Sequence, residues 1–379
     1  MILFFIFTFY DRIEIGEDMK KILLTSYSLG LGGIEKALIN LLHEIDYKEY
    51  QVTLILEHKE GMFLDSVPKE VEILEYKIST SKFVPWRKLY NRLKLIHWKR
   101  KLKKQFDFSA SFTTSSIPGA LLALAASSNT ALWVHANYYI LYEKNVEKMT
   151  EFFDGIKAYQ FQNVVFVSKE NEREVKEHYT KFKHTLVCNN FINGKEIEEK
   201  ANEPIEFKRK EIPLFVNIGR QEESQKRLSR IIEASKKLVD DGYKFQILFI
   251  GDGPDSKKYK EKVKEYQLED VILFLGKKKN PYPYYAISDA VILSSEYEGF
   301  PVVFLESLII NRPILSTKVS DYESLEGKSG LFCERSTEGV YSMMKDYLDN
   351  GFITKYPFHY QSYNKAIKKR FLELVEEGK

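Results

Sequence analysis

Cysteine is scarce: the 379 residues contain two, Cys188 and Cys333. They stand far apart, each near the end of an apolar run, in no spacing that a metal site or a dithiol redox centre uses. Both read as small core residues of a protein kept in a reducing compartment. Long apolar runs are also scarce. Residues 1–18 open with Met-Ile-Leu-Phe-Phe-Ile-Phe-Thr-Phe-Tyr and then turn acidic. They lack a positive leader and a small-residue cleavage site and are too short to span a bilayer, so they read as an extension before a working start at Met19. No other stretch is apolar enough for long enough to cross a membrane. Nor is there a strong net charge, since 57 Lys and Arg against 54 Asp and Glu leave +3. Whole-chain charge therefore argues neither for nor against nucleic acid, and any basic partner site has to be local. No His/Asp constellation suited to a metal is visible. What is present is 44% hydrophobic residues rich in Phe and Tyr, in a chain too long for one ordinary core. Two globular domains are expected.

The first half carries short apolar runs at 21–25, 52–56, 71–74, 110–113, 131–134, 164–167 and 185–188, separated by helical or loop segments. An open parallel sheet covered by helices on both faces is the economical α/β architecture. After the first run comes Ser-Tyr-Ser-Leu-Gly-Leu-Gly-Gly, ending at Gly33. Ile34, Ala37, Leu38, Leu41, Leu42 and Ile45 then recur at helical spacing. A strand, glycine loop and helix in that order can seat a phosphate on backbone amides. A dinucleotide fingerprint competes, and Glu57 even stands where a ribose-binding acid would. Its third glycine falls on Glu35, however, whose bulk and charge spoil close helix-to-strand packing, so nicotinamide binding ranks low. His135 ends the run at 131–134, and ligands of such sheets bind beyond the carboxyl ends of strands. Without that placement a lone histidine is more often structural.

From Lys77 to Lys104 there are eleven Lys or Arg and no acid. Trp86, Leu89, Leu93 and Ile96 share a helical face in this segment. Three readings compete for Trp86, Arg87, Lys88, Arg92, Lys94, Trp98, Lys99, Arg100, Lys101, Lys103 and Lys104. The first is a solvated face over a core stripe. The second is docking on an anionic membrane surface, at about 1 kcal/mol per basic residue. Nucleic acid ranks third, because no recognised nucleic-acid module accompanies the charges. Residues 194–211 are rich in Lys and Glu without an apolar period and read as an interdomain linker.

The second half begins with a strand ending in Gly219-Arg220, then Lys226 and Arg227 at a helix start, with Gly242 beyond the helix. Two cations bracketing a strand-to-helix turn suit a diphosphate, Arg220 by forking onto oxygens and Lys226 as a point charge. Further strands are expected at 245–250, 271–275, 290–293, 313–316 and 330–333. The run 290–293 leads into Ser-Ser-Glu-Tyr-Glu-Gly-Phe-Pro-Val-Val-Phe-Leu-Glu-Ser-Leu, residues 294–308. Pro301 suits a helix start, so this turn aims free N–H groups and a helix dipole at one point. Glu298 lies in the turn and Glu306 in the helix, where their carboxylates can accept from sugar hydroxyls.

The spacing Glu298-x7-Glu306 with Gly299-Phe300-Pro301 between resembles the signature of the retaining glycosyltransferases of family 4. So do Gly32-Gly33-Ile34-Glu35-Lys36-Ala37, Gly219-Arg220 with Lys226, and Gly251-Asp252-Gly253-Pro254. Arg227 departs from the pattern, standing where a glycine often follows the lysine. The resemblance runs from about residue 19 to the C-terminus and implies a GT-B fold, two Rossmann-like domains with parallel sheets facing across a cleft. The implied divisions are 19–195 for the acceptor domain, 196–212 for the linker, 213–355 for the donor domain and 356–379 for a helix crossing back to the first domain.

The implied activity is retaining transfer of a hexose from a nucleotide diphosphate sugar to an acceptor hydroxyl. Uridine diphosphate is favoured, and a lipid-linked surface glycan such as a capsule or O-antigen intermediate is the favoured acceptor. Arg220 and Lys226 would stabilise the departing diphosphate, Glu298 would orient sugar hydroxyls and His135 would contact the sugar. Gly33, Gly276, Lys277, Gly299, Phe300, Val302, Val303 and Glu306 would bind the donor, with Glu306 on the ribose. No metal, cofactor or nucleic acid is implied, and the expected location is the cytoplasm or the inner face of the plasma membrane. The alternatives are a non-catalytic GT-B partner subunit and a nucleotide-sugar epimerase.

Overall fold

In the computed structural model the described residues are 19–30, 32–355 and 357–376. The extension expected at 1–18, residue 31 of the glycine loop, residue 356 and residues 377–379 lie outside them. The seven apolar runs of the first half form β1 (Lys20–Ser26), β2 (Tyr50–Leu56), β3 (Glu72–Glu75), β4 (Phe108–Ser111), β5 (Thr130–Val134), β6 (Asn163–Phe166) and β7 (His184–Val187). They pair in parallel in the order β3-β2-β1-β4-β5-β6-β7. Helices α1 (Gly33–Glu44), α2 (Val84–Leu102), α3 (Ile117–Ala126), α4 (Tyr138–Leu141), α5 (Val146–Gly155) and α6 (Lys169–His178) connect them. Central strands such as β4, β5 and β6 are buried along their whole length. Their apolar runs are continuous because helices cover both faces of a parallel sheet.

After α7 (Gly194–Ala201), the second domain repeats the plan with β8 (Leu214–Ile218), β9 (Gln246–Ile250), β10 (Ile272–Gly276), β11 (Ala290–Leu293), β12 (Ile314–Thr317) and β13 (Gly330–Cys333). Their order is β10-β9-β8-β11-β12-β13, again all parallel. The helices are α8 (Leu228–Asp240), α9 (Ser256–Glu265), α10 (Tyr282–Ile287), α11 (Val302–Ile309), α12 (Thr337–Asn350) and α13 (Tyr360–Glu376). In each sheet the winding reverses between two adjacent strands, β1 and β4 in one, β8 and β11 in the other. The crevice for a ligand opens at the carboxyl ends of such strands.

Local chemistry fixes where the helices start. Ser116, Asn137, Asn145, Ser168, Asn193 and Ser336 each accept the N–H three residues on, capping α3, α4, α5, α6, α7 and α12. Such a cap is worth about 1 kcal/mol. The last helix leaves its own domain: Ile367, Phe371, Leu374 and Val375 of α13 are buried in the core that β1, β2 and α1 build. The Lys20 ammonium pairs with Glu376 at 2.6 Å, and Asn129 Nδ2 donates to the Leu374 carbonyl at 2.7 Å.

Two expectations are corrected. Residues 194–201 are helix rather than irregular linker, because Asn193 caps them and Ile197 is buried against the second domain's core. Its buried positions are Gly194 and Ile197, of which one is apolar enough to register, too few to show as a period. In α2 the stripe Trp86, Leu89, Leu93 and Ile96 does not face the core; all four are exposed. The contact with the core is made instead by Leu95, Trp98 and Leu102. Trp98 stands edge-on to Tyr76 at 5.7 Å between ring centroids and so does not belong to the surface patch.

Candidate active site

The turn after β11 meets the turn before α8 by backbone and hydroxyl hydrogen bonds. The Glu296 N–H donates to the Gln225 carbonyl at 2.7 Å, and the buried Ser294 hydroxyl reaches the carbonyls of Lys226 and Arg227 at 3.0 and 2.9 Å. These bonds bring Lys226 Nζ to 2.5 Å from Glu298 Oε1, with both side chains largely buried. Ser295 Oγ donates to the same carboxylate oxygen at 2.7 Å. Arg227 takes left-handed backbone angles, φ 49° and ψ 42°. That conformation explains why glycine suits the position, since a side chain there is strained.

Arg220 is mostly exposed and sits 3.2 Å from Glu222, at the rim of this pair. Gly276 ends β10 at φ +65° beside the exposed Lys277. Gly33 opens α1, and a Cβ built on it would meet nothing within 4 Å, so the space before it is open.

The first domain closes over the turn at Gly299. A Cβ there would lie 1.8 Å from the His135 carbonyl oxygen. Only glycine allows that approach, and it sets the His135 backbone against the Glu298 turn. Asn171 Nδ2 donates to the Gly299 carbonyl at 3.1 Å and Ser320 Oγ at 2.9 Å. The His135 ring is buried against Phe112, 4.7 Å between centroids. Burial drives its pKa down to about 4, against a smaller upward effect of a backbone hydrogen bond at Phe112, so the imidazole is neutral. Among the described residues its Nε2 has no hydrogen-bond partner.

Glu306 forms a second, separate cluster. Lys36 of α1 reaches across from the first domain to Glu306 Oε1 at 2.6 Å, and Tyr285 OH donates to Oε2 at 2.5 Å. The Tyr282 hydroxyl stands 3.3 Å from Oε1 and also meets Lys36 Nζ. Burial works against the Lys36 ammonium, but the Glu306 carboxylate and the Tyr282 phenol outweigh it and hold its pKa above the ordinary lysine range. Phe300, Val302 and Val303 face the second domain's core with their side chains, which leaves their backbone to the turn. Glu57 is buried and accepts from Ser116 Oγ, so it serves the first domain's packing.

Lys36 and Ser294 hold the candidate site together without having been singled out in the sequence. The only signal for Lys36 was its place in the Gly-Gly-Ile-Glu-Lys run. Its partner lies 270 positions away.

Residues 198–340 match the family model described as glycosyl transferases group 1. That match falls almost wholly within the second domain. An uncharacterized glycosyltransferase of Methanocaldococcus jannaschii is 28% identical over 54% of this chain and 52% of its own length. The N-acetyl-alpha-D-glucosaminyl L-malate synthase of Bacillus anthracis is 35% identical over 30% of this chain and 31% of its own length. The chain thus spans about half of the first of these curated relatives and about a third of the second. A Campylobacter jejuni N-acetylgalactosaminyltransferase, named for a diphospho-undecaprenol-linked sugar, is 26% identical over 79% of this chain and 81% of its own length. Anabaena HepE, crystallised with UDP and glucose, superposes with a TM-score of 0.70 at 15% identity over 93% of this chain and 99% of its own. TarM superposes at 0.72 with 11% identity over 94% and 99%. The group 1 domain and the preceding sheet together have the GT-B fold.

Proposed function

We propose that the protein is a retaining glycosyltransferase that moves a hexose from a nucleotide diphosphate sugar, uridine diphosphate being the favoured carrier, to a hydroxyl of a lipid-linked glycan. The observation that carries this reading is the buried Lys226–Glu298 pair, set at the start of a group 1 helix and closed over by His135 through Gly299. The reaction chiefly demands stabilisation of charge on the departing diphosphate. A preorganised cation in a site shielded from water supplies it most effectively. Lys226 and the exposed Arg220 neutralise the phosphates, the amides after Phe300 add hydrogen bonds, and Glu298 orients the sugar. Glu306, already fixed by Lys36 and Tyr285, offers its remaining lone pairs to the ribose. The neutral His135 presents its ring, whose Nε2 has no partner among the described residues, to the hexose from the opposite domain. The acceptor hydroxyl attacks on the face the diphosphate leaves, with no covalent intermediate and no metal; activity lost to a chelator and restored by a divalent ion would overturn the last point.

The acceptor class is supported by the Campylobacter relative's name and by α2. Its exposed Trp86, Leu89, Leu93 and Ile96 beside Arg92, Arg100, Lys101, Lys103 and Lys104 suit an anionic membrane surface. The enzyme would then work at the inner face of the plasma membrane. Among the described residues no helix is long and apolar enough to cross a membrane.

A thermal-shift comparison of uridine, guanosine, adenosine and thymidine diphosphates with their sugars tests the donor. A ligand at one hundred times its dissociation constant stabilises by about 2.7 kcal/mol. Selective stabilisation by uridine diphosphate and one of its sugars is expected. Silence from every nucleotide would overturn the reading in favour of a non-catalytic subunit.

A further inference from the structure

A cavity of about 1000 Å³ opens between the two domains, and none of Lys226, Glu298 or Glu306 is among the side chains lining it. Its apolar wall includes Leu305 and Leu308, one turn apart on α11, and Phe300 before that helix. Its charged rim is unbalanced. Of the acids that line it, Glu170 is spent on Arg335 at 2.8 Å, and Asp321 accepts the N–H groups of Lys169 and Glu170, both at 3.1 Å. Arg370 donates to the Val187 carbonyl at 2.8 Å. Among the described residues the side chains of Lys169, Arg173 and Lys328 have no hydrogen bond or ion pair, and together with Arg370 they outnumber Asp321 and Glu323, the lining acids that no cation pairs.

Lys169 and Arg173 are four apart on α6, hence on one face of a first-domain helix. Lys328 belongs to the second domain, between β12 and β13. An anion held by all three therefore bridges the domains. Three cations lining one cavity suit a doubly charged phosphate better than a carboxylate, and the apolar wall needs an apolar substituent to cover it. A volume near 1000 Å³ is ample for such a molecule.

We propose that this cavity binds an amphiphilic organic phosphate, with the phosphate on Lys169, Arg173 and Lys328 and the apolar chain along Leu305 and Leu308. Occupancy bears on domain placement, because Phe300 and Tyr363 line the cavity and pack into the cores of both domains. A molecule resting on them favours the closed arrangement, and closure also sets His135 against the Glu298 turn. Binding here and binding of a nucleotide in the cleft reinforce one another reciprocally.

The test uses the full chain and three probes at equal concentration: farnesyl phosphate below its aggregation threshold, inorganic phosphate and farnesol. Thermal stabilisation by farnesyl phosphate, exceeding that by either of the others, is expected. The double variant Arg173→Glu/Lys328→Glu, both exposed positions, should weaken the response at least about tenfold, the loss of two charge-assisted contacts. That variant should still respond to uridine diphosphate as wild type does. A second variant, Lys99→Gln/Arg100→Gln/Lys101→Gln, removes the basic end of α2 and should leave the farnesyl phosphate response intact.

The proposal is overturned if farnesyl phosphate gives no shift, if the double variant responds like wild type, or if the α2 variant alone abolishes the effect. It is equally overturned if inorganic phosphate matches farnesyl phosphate, since the apolar wall then contributes nothing. A wild-type protein that ignores every nucleotide yet answers farnesyl phosphate would sink the transfer reading and sustain this one.

Discussion

Lys226 and Glu298 neutralise each other at 2.5 Å until a diphosphate competes for the ammonium. Lys226→Ala leaves a buried carboxylate unpaired and removes the cation that faces the leaving group. A fall in kcat/KM of about a hundredfold or more is expected, the effect of deleting one preorganised charge stabiliser, with donor turnover as the measurement. Wild-type turnover in this variant would remove Lys226 from the site. At Gly299 the constraint is steric. Gly299→Ala sets a methyl group against the His135 carbonyl, so the domains have to part, and overpacking of this kind costs about 1–3 kcal/mol. Lower activity and a lower urea midpoint are both expected. His135 contributes one part of the pH dependence: its ring is held down to about pKa 4 in the folded protein and returns to an ordinary 6.5 on unfolding. Its contribution to stability is therefore complete above about pH 6.5 and is lost as the pH falls towards 4, to about 3 kcal/mol. His135→Gln should lack that part of the decline in urea titrations across this window.

Among the elements, the strands and the site-bearing turns were legible in the sequence. A strand buried on both faces reads as an unbroken apolar run, and Gly219-Arg220 and Glu298-Gly299-Phe300-Pro301 stand directly at strand ends. Helix α2 was legible only as a helix. Its periodicity shows that Trp86, Leu89, Leu93 and Ile96 share a face, but periodicity has no term for which face meets the core. Leu95, Trp98 and Leu102 won that contact because Tyr76 and its neighbours lie under them. The outward stripe then becomes the feature to test. Replacing Lys99, Arg100, Lys101, Lys103 and Lys104 with Gln should abolish co-sedimentation with anionic vesicles, at about 1 kcal/mol for each charge removed. Unchanged binding would return the patch to a solvated surface. The Lys36–Glu306 pair was illegible for a different reason: nothing local distinguishes a lysine that ends in water from one that ends on a carboxylate in the other domain.

For the molecule as a whole, α13 completes a core it does not begin. Deleting residues 360–379 uncovers Ile367, Phe371, Leu374 and Val375, each worth about 1.5–3 kcal/mol when fully buried. That sum is comparable to the entire stability of a domain. The truncated chain should lose cooperative unfolding of its first domain by circular dichroism, while the second domain retains its own transition. Closure itself can be timed through Asp321. Its carboxylate, from the second domain, accepts the first two amides of α6 in the first. Those protons are shielded only while the domains touch. Hydrogen–deuterium exchange at Lys169 and Glu170 is therefore a clock for opening: slow exchange there, set against fast exchange at the freely exposed neighbouring surface, reads the fraction of time the cleft stands shut.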